Sequence, residues 1–342
     1  MNHTTRVYDS VLDLLPSEEN PSPLVRLNRL APAGSTLYVK LEWLNPFGSV
    51  KDRAAAEMIA DLEAQGALRP AGQEGDGDAG RGIVEPTSGN TGISLAGIAA
   101  VRGYPMRAVV PAKVPEEKRV FLKLLGAEVD VVADAMCPLP GSEDGTIGLA
   151  KTHARASSDR YAMPNQYENR ANVRAHQRTT GPEIWRQTEG KVTHVFVSLG
   201  TCGTVTGLST YLKAKNPAVR VIAVQPSAGH AVPGLRNTSE LAVSALYDPS
   251  LIDELIEVDH RLAYATAVEL AQREGLLAGP STGLILAGAQ QVAGRERVGL
   301  GVLIGCDGAF KYAQGFAAEL ARQDEQTAAT GGLRQAQPHV AV

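Results

Sequence analysis

Three short polar turns hold the residue types that could do chemistry. In NPFGSVKDR, residues 45–53, Lys51 follows a turn shaped by Pro46 and Gly48 and opens a helical pattern. An amine in a glycine-shaped pocket at a helix start can have its pKa depressed, and a desolvated amine is the form that makes a Schiff base. Standing alone, the same residue reads as an ordinary surface lysine. In PTSGNTGIS, residues 86–94, Thr87, Ser88, Asn90 and Thr91 surround Gly89 and Gly92 ahead of a helix. Hydroxyls and free N–H groups at a helix start suit a carboxylate, and the pattern equally suits a well-capped helix. In GTCGTVTG, residues 200–207, Gly200, Thr201, Cys202, Gly203 and Thr204 follow an apolar strand and open a helix. Their N–H groups could cradle a phosphate. This turn lacks the GK(S/T) ending of a P-loop, and its glycine spacing misses GxGxxG, so a small phosphate monoester fits better than a nucleotide.

The elements that must position these turns alternate along the chain. LYVKLEW (37–43), the IVE before PTSGNTG, MRAVVP (106–111), EVDVV (128–132), THVFVS (193–198), RVIAVQ (220–225) and VGLGVLI (298–304) have strand composition. Helical patterns fall over 52–68, 93–102, 116–125, from the glycine-rich turn through 211, over 264–274 and near 310–322. Gly66, Gly103, Gly126 and Gly275 stand where helices stop. Short apolar strands between helices argue for parallel sheets covered on both faces. They form two runs, before and after about residue 158. The fold class expected is therefore α/β, as two domains, each a twisted, mainly parallel sheet flanked by helices. Ligands in such folds sit at the carboxyl ends of strands, which is where the polar turns are. The Gly/Asp-rich stretch 70–82 and the polar tail from about 323 read as solvated loop or disorder.

Composition narrows the function classes. The chain has 342 residues, 44% hydrophobic and 20% charged, enough to bury a sizeable core. A net charge of −4 and 5% aromatics argue against a nucleic-acid surface or an anionic-membrane footprint. Cys137, Cys202 and Cys306 form no CxxC pair, and the seven histidines are scattered, so no metal site is expected. The opening MNHTTRVYDS shows no apolar signal core, and no long uncharged apolar run is present, so a cytoplasmic protein is expected.

Taken together and in order, the turns resemble the pyridoxal-phosphate-dependent β-replacement enzymes called cysteine synthases, relatives of cystathionine β-synthase with the fold type II, tryptophan synthase β-like architecture. The resemblance runs over roughly residues 20–320, through PLVRLNRL, GSVKDRAA, EPTSGNTGIS, TTGPEIWRQT, THVFVSLGTCGTVTG, REGLLAGPSTG and CDGAFKY, and is strongest to the B type. It implies pyridoxal 5′-phosphate as cofactor. By the resemblance Lys51 holds the cofactor and then acts as base on the substrate Cα proton. Asn90 bonds the 3′ oxygen, and Gly200, Thr201, Cys202, Gly203 and Thr204 bind the phosphate. Asp307 faces the pyridine nitrogen, where many members have serine. Thr87, Ser88, Asn90 and Thr91 receive the substrate carboxylate, assisted by Gln166. Cys202, where threonine or a small residue is usual, reads as a small buried filler. The implied domains are a smaller mobile one, 46–158, carrying the carboxylate loop, and a larger cofactor-phosphate one, 1–45 plus 159–325, with 326–342 as a disordered tail. A homodimer is also implied.

One segment bears on the substrates. In QPSAGHAVPGLRN, residues 225–237, B-type members including those using O-phosphoserine have an arginine, here Arg236, that acetylserine-preferring members lack. A guanidinium matches phosphate oxygens bidentately, so Arg236 favours a phosphoserine donor or an anionic acceptor such as thiosulfate. The plainer alternative is an ion pair with Glu240. The expected activity is replacement of the β-substituent of O-phosphoserine or O-acetylserine by sulfide or thiosulfate, giving L-cysteine or S-sulfocysteine. Alternatives are cystathionine β-synthesis, a nitrogen nucleophile giving a diaminopropionate, a dehydratase, and a binding module without catalysis.

Overall fold

The computed structural model describes residues 7–69, 81–133 and 145–329. The chain starts with the antiparallel pair β1 (Leu24–Arg26) and β2 (Thr36–Leu41). It then crosses into a compact run: α1 (Lys51–Ala64), β3 (Gly82–Pro86), α2 (Asn90–Arg102), β4 (Met106–Pro111), α3 (Glu116–Leu124), β5 (Glu128–Val132), α4 (Thr146–Ala156) and β6 (Tyr161–Ala162). These four strands form one sheet in the order β5-β4-β3-β6, with every pair parallel. The chain returns through α5 (Ala171–Ala175), a single π-helical turn His176–Thr180, and α6 (Gly181–Gln187). Then come β7 (His194–Ser198), α7 (Gly203–Lys215), β8 (Arg220–Pro226), β9 (Glu254–Val258), α8 (His260–Glu274), α9 (Pro280–Ala293), β10 (Leu300–Gly305) and α10 (Ala313–Ala329). The second sheet has six strands in the order β1-β2-β10-β7-β8-β9, parallel except at β1.

Strand composition follows burial. All five residues of β3 and all but the first of β8 are buried, which is why both read as unbroken apolar runs rather than alternating ones. Small residues set the helix distances. A Cβ on Gly283 would lie 2.1 Å from the Ala263 carbonyl, so α9 and α8 pack backbone to backbone. One on Gly207 would lie 2.7 Å from His176 Cβ, so α7 lies hard against the π-helical turn.

The two expected α/β sheets are present. The last strand of the smaller one, β6, lies past residue 158. The tail differs from expectation: α10 runs as helix to Ala329, so residues 323–329 are not loop, and Glu319 on its inner face is buried and bonded to Arg322 and Gln323. The rest of that tail, residues 70–80 of the Gly/Asp-rich stretch, and Cys137 lie outside the described residues, and Gly82 already belongs to β3. Among the described residues, no helix is long and apolar enough to cross a membrane.

Candidate active site

The carboxyl ends of β7 and β10, neighbours in the six-stranded sheet, and of β3 in the four-stranded sheet converge on one cavity. Lys51 enters it as the first residue of α1. The approach is stitched to the far sheet: Val50 N donates to the Cys306 carbonyl (2.8 Å), and Ser49 bridges Asp307. Gly48 turns with φ +77°, and Phe47 N donates to Asp52 Oδ2 (2.7 Å). Just beyond Lys51, Arg53 is locked from below. Its Nε and Nη2 donate to Glu42, its Nη1 and Nη2 to Glu183, and Nη2 also to Ser22 Oγ. Lys40 completes this buried group at 2.8 Å from Glu183. The Lys51 amine itself makes no side-chain hydrogen bond or ion pair among the described residues. Burial pulls its pKa below the ordinary lysine value, opposed in part by Cys306, Asp307 and Cys202. It is therefore an unpartnered amine of lowered pKa facing a cavity, the setting that suits a nucleophile or base.

The second turn leads into α2 opposite Lys51. Thr87 is buried and serves the helix start: its Oγ1 accepts from the N–H groups of Gly89 and Gly92, both at 3.0 Å. Ser88, Asn90 and Thr91 line the cavity, whereas Thr87 does not. Gly89, at φ +129°, rests on Lys118; any Cβ would lie 2.3 Å from its Cδ. Thr91 Oγ1 donates to Gln166 Oε1 (2.6 Å), and Gln166 Nε2 donates to the Pro86 carbonyl (2.8 Å). Gln166 is aimed by its own backbone N–H and that of Asn165, which donate to the buried Glu85 carboxylate.

The third turn closes the other side. Cys202 adopts φ +66° and packs into the apolar core beneath β7 while lining the cavity. Gly200, Thr201 and Thr204 also line it. Gly203 does not, but it admits Asn172, whose Oδ1 would lie 2.1 Å from any Cβ there. Asn172 Nδ2 donates to Thr201 Oγ1 (3.0 Å), and Ser244 Oγ donates to the Thr201 carbonyl (2.7 Å). The loop is thus clamped from behind while its amides open α7 toward the cavity, an arrangement that favours an anion.

Asp307 is fully buried behind the cavity. Its Oδ2 accepts from Asn90 Nδ2 (2.7 Å) and Tyr312 Oη (2.5 Å), while Oδ1 makes no hydrogen bond. Lys311 Nζ donates to the carbonyls of Phe47 and Gly48 and to Asn90 Oδ1, and Lys118 Nζ donates to Tyr312 Oη. This charged mesh joins the end of β10 to α1, α2 and α3. Arg236 lines the cavity and is buried, its guanidinium 5.4 Å from the Tyr167 ring centre. Its Nη1 donates to the Glu240 carbonyl, whereas the Glu240 carboxylate accepts from Asn237 N.

Sequence reasoning passed over several residues placed here. Ser281, second residue of α9, lines the cavity with a buried hydroxyl that has no oxygen or nitrogen partner. Its signal was the proline at the start of α9 in AGPSTG, which marks a helix opening. Lys118 and Tyr312 lay on helical patterns that look like ordinary surface, and His176 in a stretch with no strand beside it.

A family profile described as "Pyridoxal-phosphate dependent enzyme" matches residues 15–307. The chain belongs to this family. It is 41% identical over 294 residues to cysteine synthase B of Salmonella typhimurium, covering 85% of this chain and 91% of the relative. It is 39% identical to cysteine synthase B of Escherichia coli, with the same shares covered. A crystal structure of O-ureido-L-serine synthase superposes with a TM-score of 0.78 at 33% identity, covering 90% of this chain and 94% of that one. A hydrogen sulfide-producing enzyme from Fusobacterium nucleatum has a TM-score of 0.78 at 31% identity, covering 90% and 100%. The cofactor of this family is pyridoxal 5′-phosphate, and the cavity suits it. An unpartnered amine matches its aldehyde, the amide-lined opening of α7 its phosphate, and the Ser281 hydroxyl, with no oxygen or nitrogen partner, a polar edge of its ring.

Proposed function

We propose that this chain is a cysteine synthase of the B type, replacing the β-substituent of an O-activated L-serine with a sulfur nucleophile. The observation that carries the reading is the Lys51 amine, unpartnered among the described residues, set between the Ser88–Thr91 turn and the Gly200–Thr204 loop. Bound there, pyridoxal 5′-phosphate supplies an electron sink that makes the Cα proton of an amino acid removable and lets the Cβ substituent leave. Gly200, Thr201, Cys202, Gly203 and Thr204 would hold its phosphate. The Lys51 amine would hold the cofactor and would serve as the base that takes the substrate Cα proton and later returns it. Ser88, Asn90 and Thr91 receive the substrate carboxylate, with Gln166 holding the Thr91 hydroxyl in place. Thr87 contributes by bracing that turn. Asp307 acts on Asn90, orienting its amide through the 2.7 Å bond, and carries the charge balance at the polar end of the site.

Water must be kept from the reactive stage between loss of the leaving group and arrival of sulfur. The four-stranded unit, from about residue 46 through β6, carries the carboxylate turn and is the part that closes over the larger unit. The chain works as a homodimer in the cytoplasm, on small amino-acid and sulfur substrates.

For the donor, Arg236 supports O-phosphoserine over O-acetylserine: a buried guanidinium lining the cavity stabilises a departing dianion more than a neutral ester. On the acceptor side it supports an anionic sulfur donor such as thiosulfate over sulfide. The test crosses both donors with both acceptors and compares Arg236→Ala with wild type. A loss in kcat/KM of about 2–4 kcal/mol confined to phosphoserine is expected. Equal losses for both donors, or none, remove Arg236 from donor recognition.

A further inference from the structure

His176 does not itself line the cavity and has no assigned role in the reaction, yet it is wholly buried and bonded through both ring nitrogens. Its Nδ1 lies 2.8 Å from Thr180 Oγ1, and its Nε2 lies 3.1 Å from Thr204 Oγ1. It sits on the π-helical turn, which turns its ring toward the first residues of α7. Burial, reinforced by the positive charges of Lys51 and Arg53, lowers its pKa to about 3, so the ring is neutral and carries one proton.

Where that proton resides decides what Thr204 presents to the cavity. With the proton on Nδ1, the ring would donate to Thr180, whose own hydroxyl proton would need another acceptor. Thr180 is fully buried, and its hydroxyl makes no other hydrogen bond among the described residues. An unsatisfied buried hydroxyl is unfavourable. In the same tautomer Nε2 would accept the Thr204 proton and turn oxygen lone pairs toward an anion. With the proton on Nε2, that conflict vanishes: Thr180 donates to Nδ1, Nε2–H donates to Thr204 Oγ1, and the Thr204 proton is free to point to an anion.

We propose that His176 is a positioning residue for the cofactor: held as the Nε2–H tautomer, it orders the Thr204 hydroxyl as a hydrogen-bond donor to a phosphate ester in the cavity. The inference rests on the pyridoxal-phosphate reading of the site. The ring is satisfied on both edges and cannot reverse without stranding the Thr180 proton.

The test compares His176→Gln with His176→Asn in the full chain. The glutamine amide reaches roughly to the Nε2 position and still donates to Thr204, whereas asparagine stops near Nδ1. Equilibrium affinity is measured for pyridoxal 5′-phosphate and for pyridoxal, which lacks the phosphate. Expected for the phosphate form are a change of about threefold or less in His176→Gln and a loss of about tenfold or more in His176→Asn. Pyridoxal binding should be equal in all three proteins, which also reports that the variants fold. In a Thr204→Val background the difference between the two His176 variants should disappear. Nitrogen-15 spectra of the wild-type holoenzyme need no variant protein and should show the His176 proton on Nε2. A proton on Nδ1, equal losses in both variants, an equal loss for pyridoxal, or a difference that survives Thr204→Val overturns the proposal. Failure of wild type to take up the phosphate form is a separate result, which removes the underlying reading and the proposal with it.

Discussion

Replacing Arg53 with methionine probes how the fold holds Lys51. The buried group below α1 contains two carboxylates, Glu42 and Glu183, against two cations, Arg53 and Lys40, all with fully buried side chains. Burial would by itself raise the Glu42 pKa; the Arg53 guanidinium, followed by Lys40 and Ser22, overcomes this and holds it at about 2. Arg53→Met removes five hydrogen bonds at once and leaves two buried carboxylates facing one lysine. Breaking a buried ion group from one side destabilises by about 3–5 kcal/mol, because the remaining charge is uncompensated. That is a large part of a typical total stability of roughly 5–15 kcal/mol. Urea unfolding followed by tryptophan fluorescence reads it directly, since Trp43 follows Glu42 and Trp185 lies just after Glu183. The second variant, Arg53→Met with Glu42→Gln, restores charge balance and should recover about 1 kcal/mol or more. The pH dependence has a definite sign. A carboxyl depressed to about 2 adds stability above its ordinary 4.5, and that stability is lost as pH falls toward 2. In Arg53→Met burial prevails and the Glu42 pKa rises, so this acid-linked loss should shrink or reverse. A destabilisation under about 1 kcal/mol, or a double variant no more stable than the single one, would refute the charge-balance reasoning.

Two further perturbations probe the substrate and phosphate turns. Glu85, bonded to the backbone of Asn165 and Gln166, is pushed by burial from 4.5 up to about 7, against the pull of those N–H groups. Between these values the folded state binds a proton that the unfolded state has lost, so the Glu85 contribution to stability falls as pH rises, by about 3 kcal/mol across the window. The stability difference between wild type and Glu85→Gln should therefore decline from pH 4.5 to 7, and a flat or rising difference in urea titrations contradicts this. Gly203→Ala drives a Cβ to 2.1 Å from Asn172 Oδ1, whereas Gly294→Ala, at φ −73° with its nearest neighbours at 3.5 Å, is accommodated. Cofactor affinity should drop about tenfold or more in the first and stay unchanged in the second; equal affinities would show that the clamp behind the loop does not matter.

Much of this arrangement was legible in the residues. The glycine-bearing turns sit just past apolar strands, where a parallel sheet presents ligand sites, so each turn was legible as a site; that the turns of two separate sheets face one cavity was not. What was not legible is mostly contact between distant polar groups. LYVKLEW reads as a strand throughout, but β2 ends at Leu41, and Glu42–Leu44 forms a short 3-10 turn that delivers Glu42 to Arg53. Strand composition cannot show that Lys40 and Glu42 are both buried, because each needs a partner from an element more than ten residues away. The same holds for β9 and β6, too short or too polar to stand out, and for α9, which is buried on every side from Pro280 to Ala289 and so shows no amphipathic stripe there. Thr87 illustrates a role that composition leaves open: a hydroxyl in a polar turn faces either a ligand or its own helix, and here it faces the helix. The tail misled because Gln, Asp and Glu look solvated, yet they continue an exposed helical face whose other side covers Tyr264 through Phe316.

Borohydride reduction of the purified protein, followed by peptide mapping, tests the central claim most directly. If the Lys51 amine is the group that holds pyridoxal 5′-phosphate, the visible absorbance vanishes on reduction and the cofactor mass appears on the peptide containing Lys51, and on no peptide in Lys51→Ala. A label on another lysine, or none on a protein supplied with the cofactor, would contradict it.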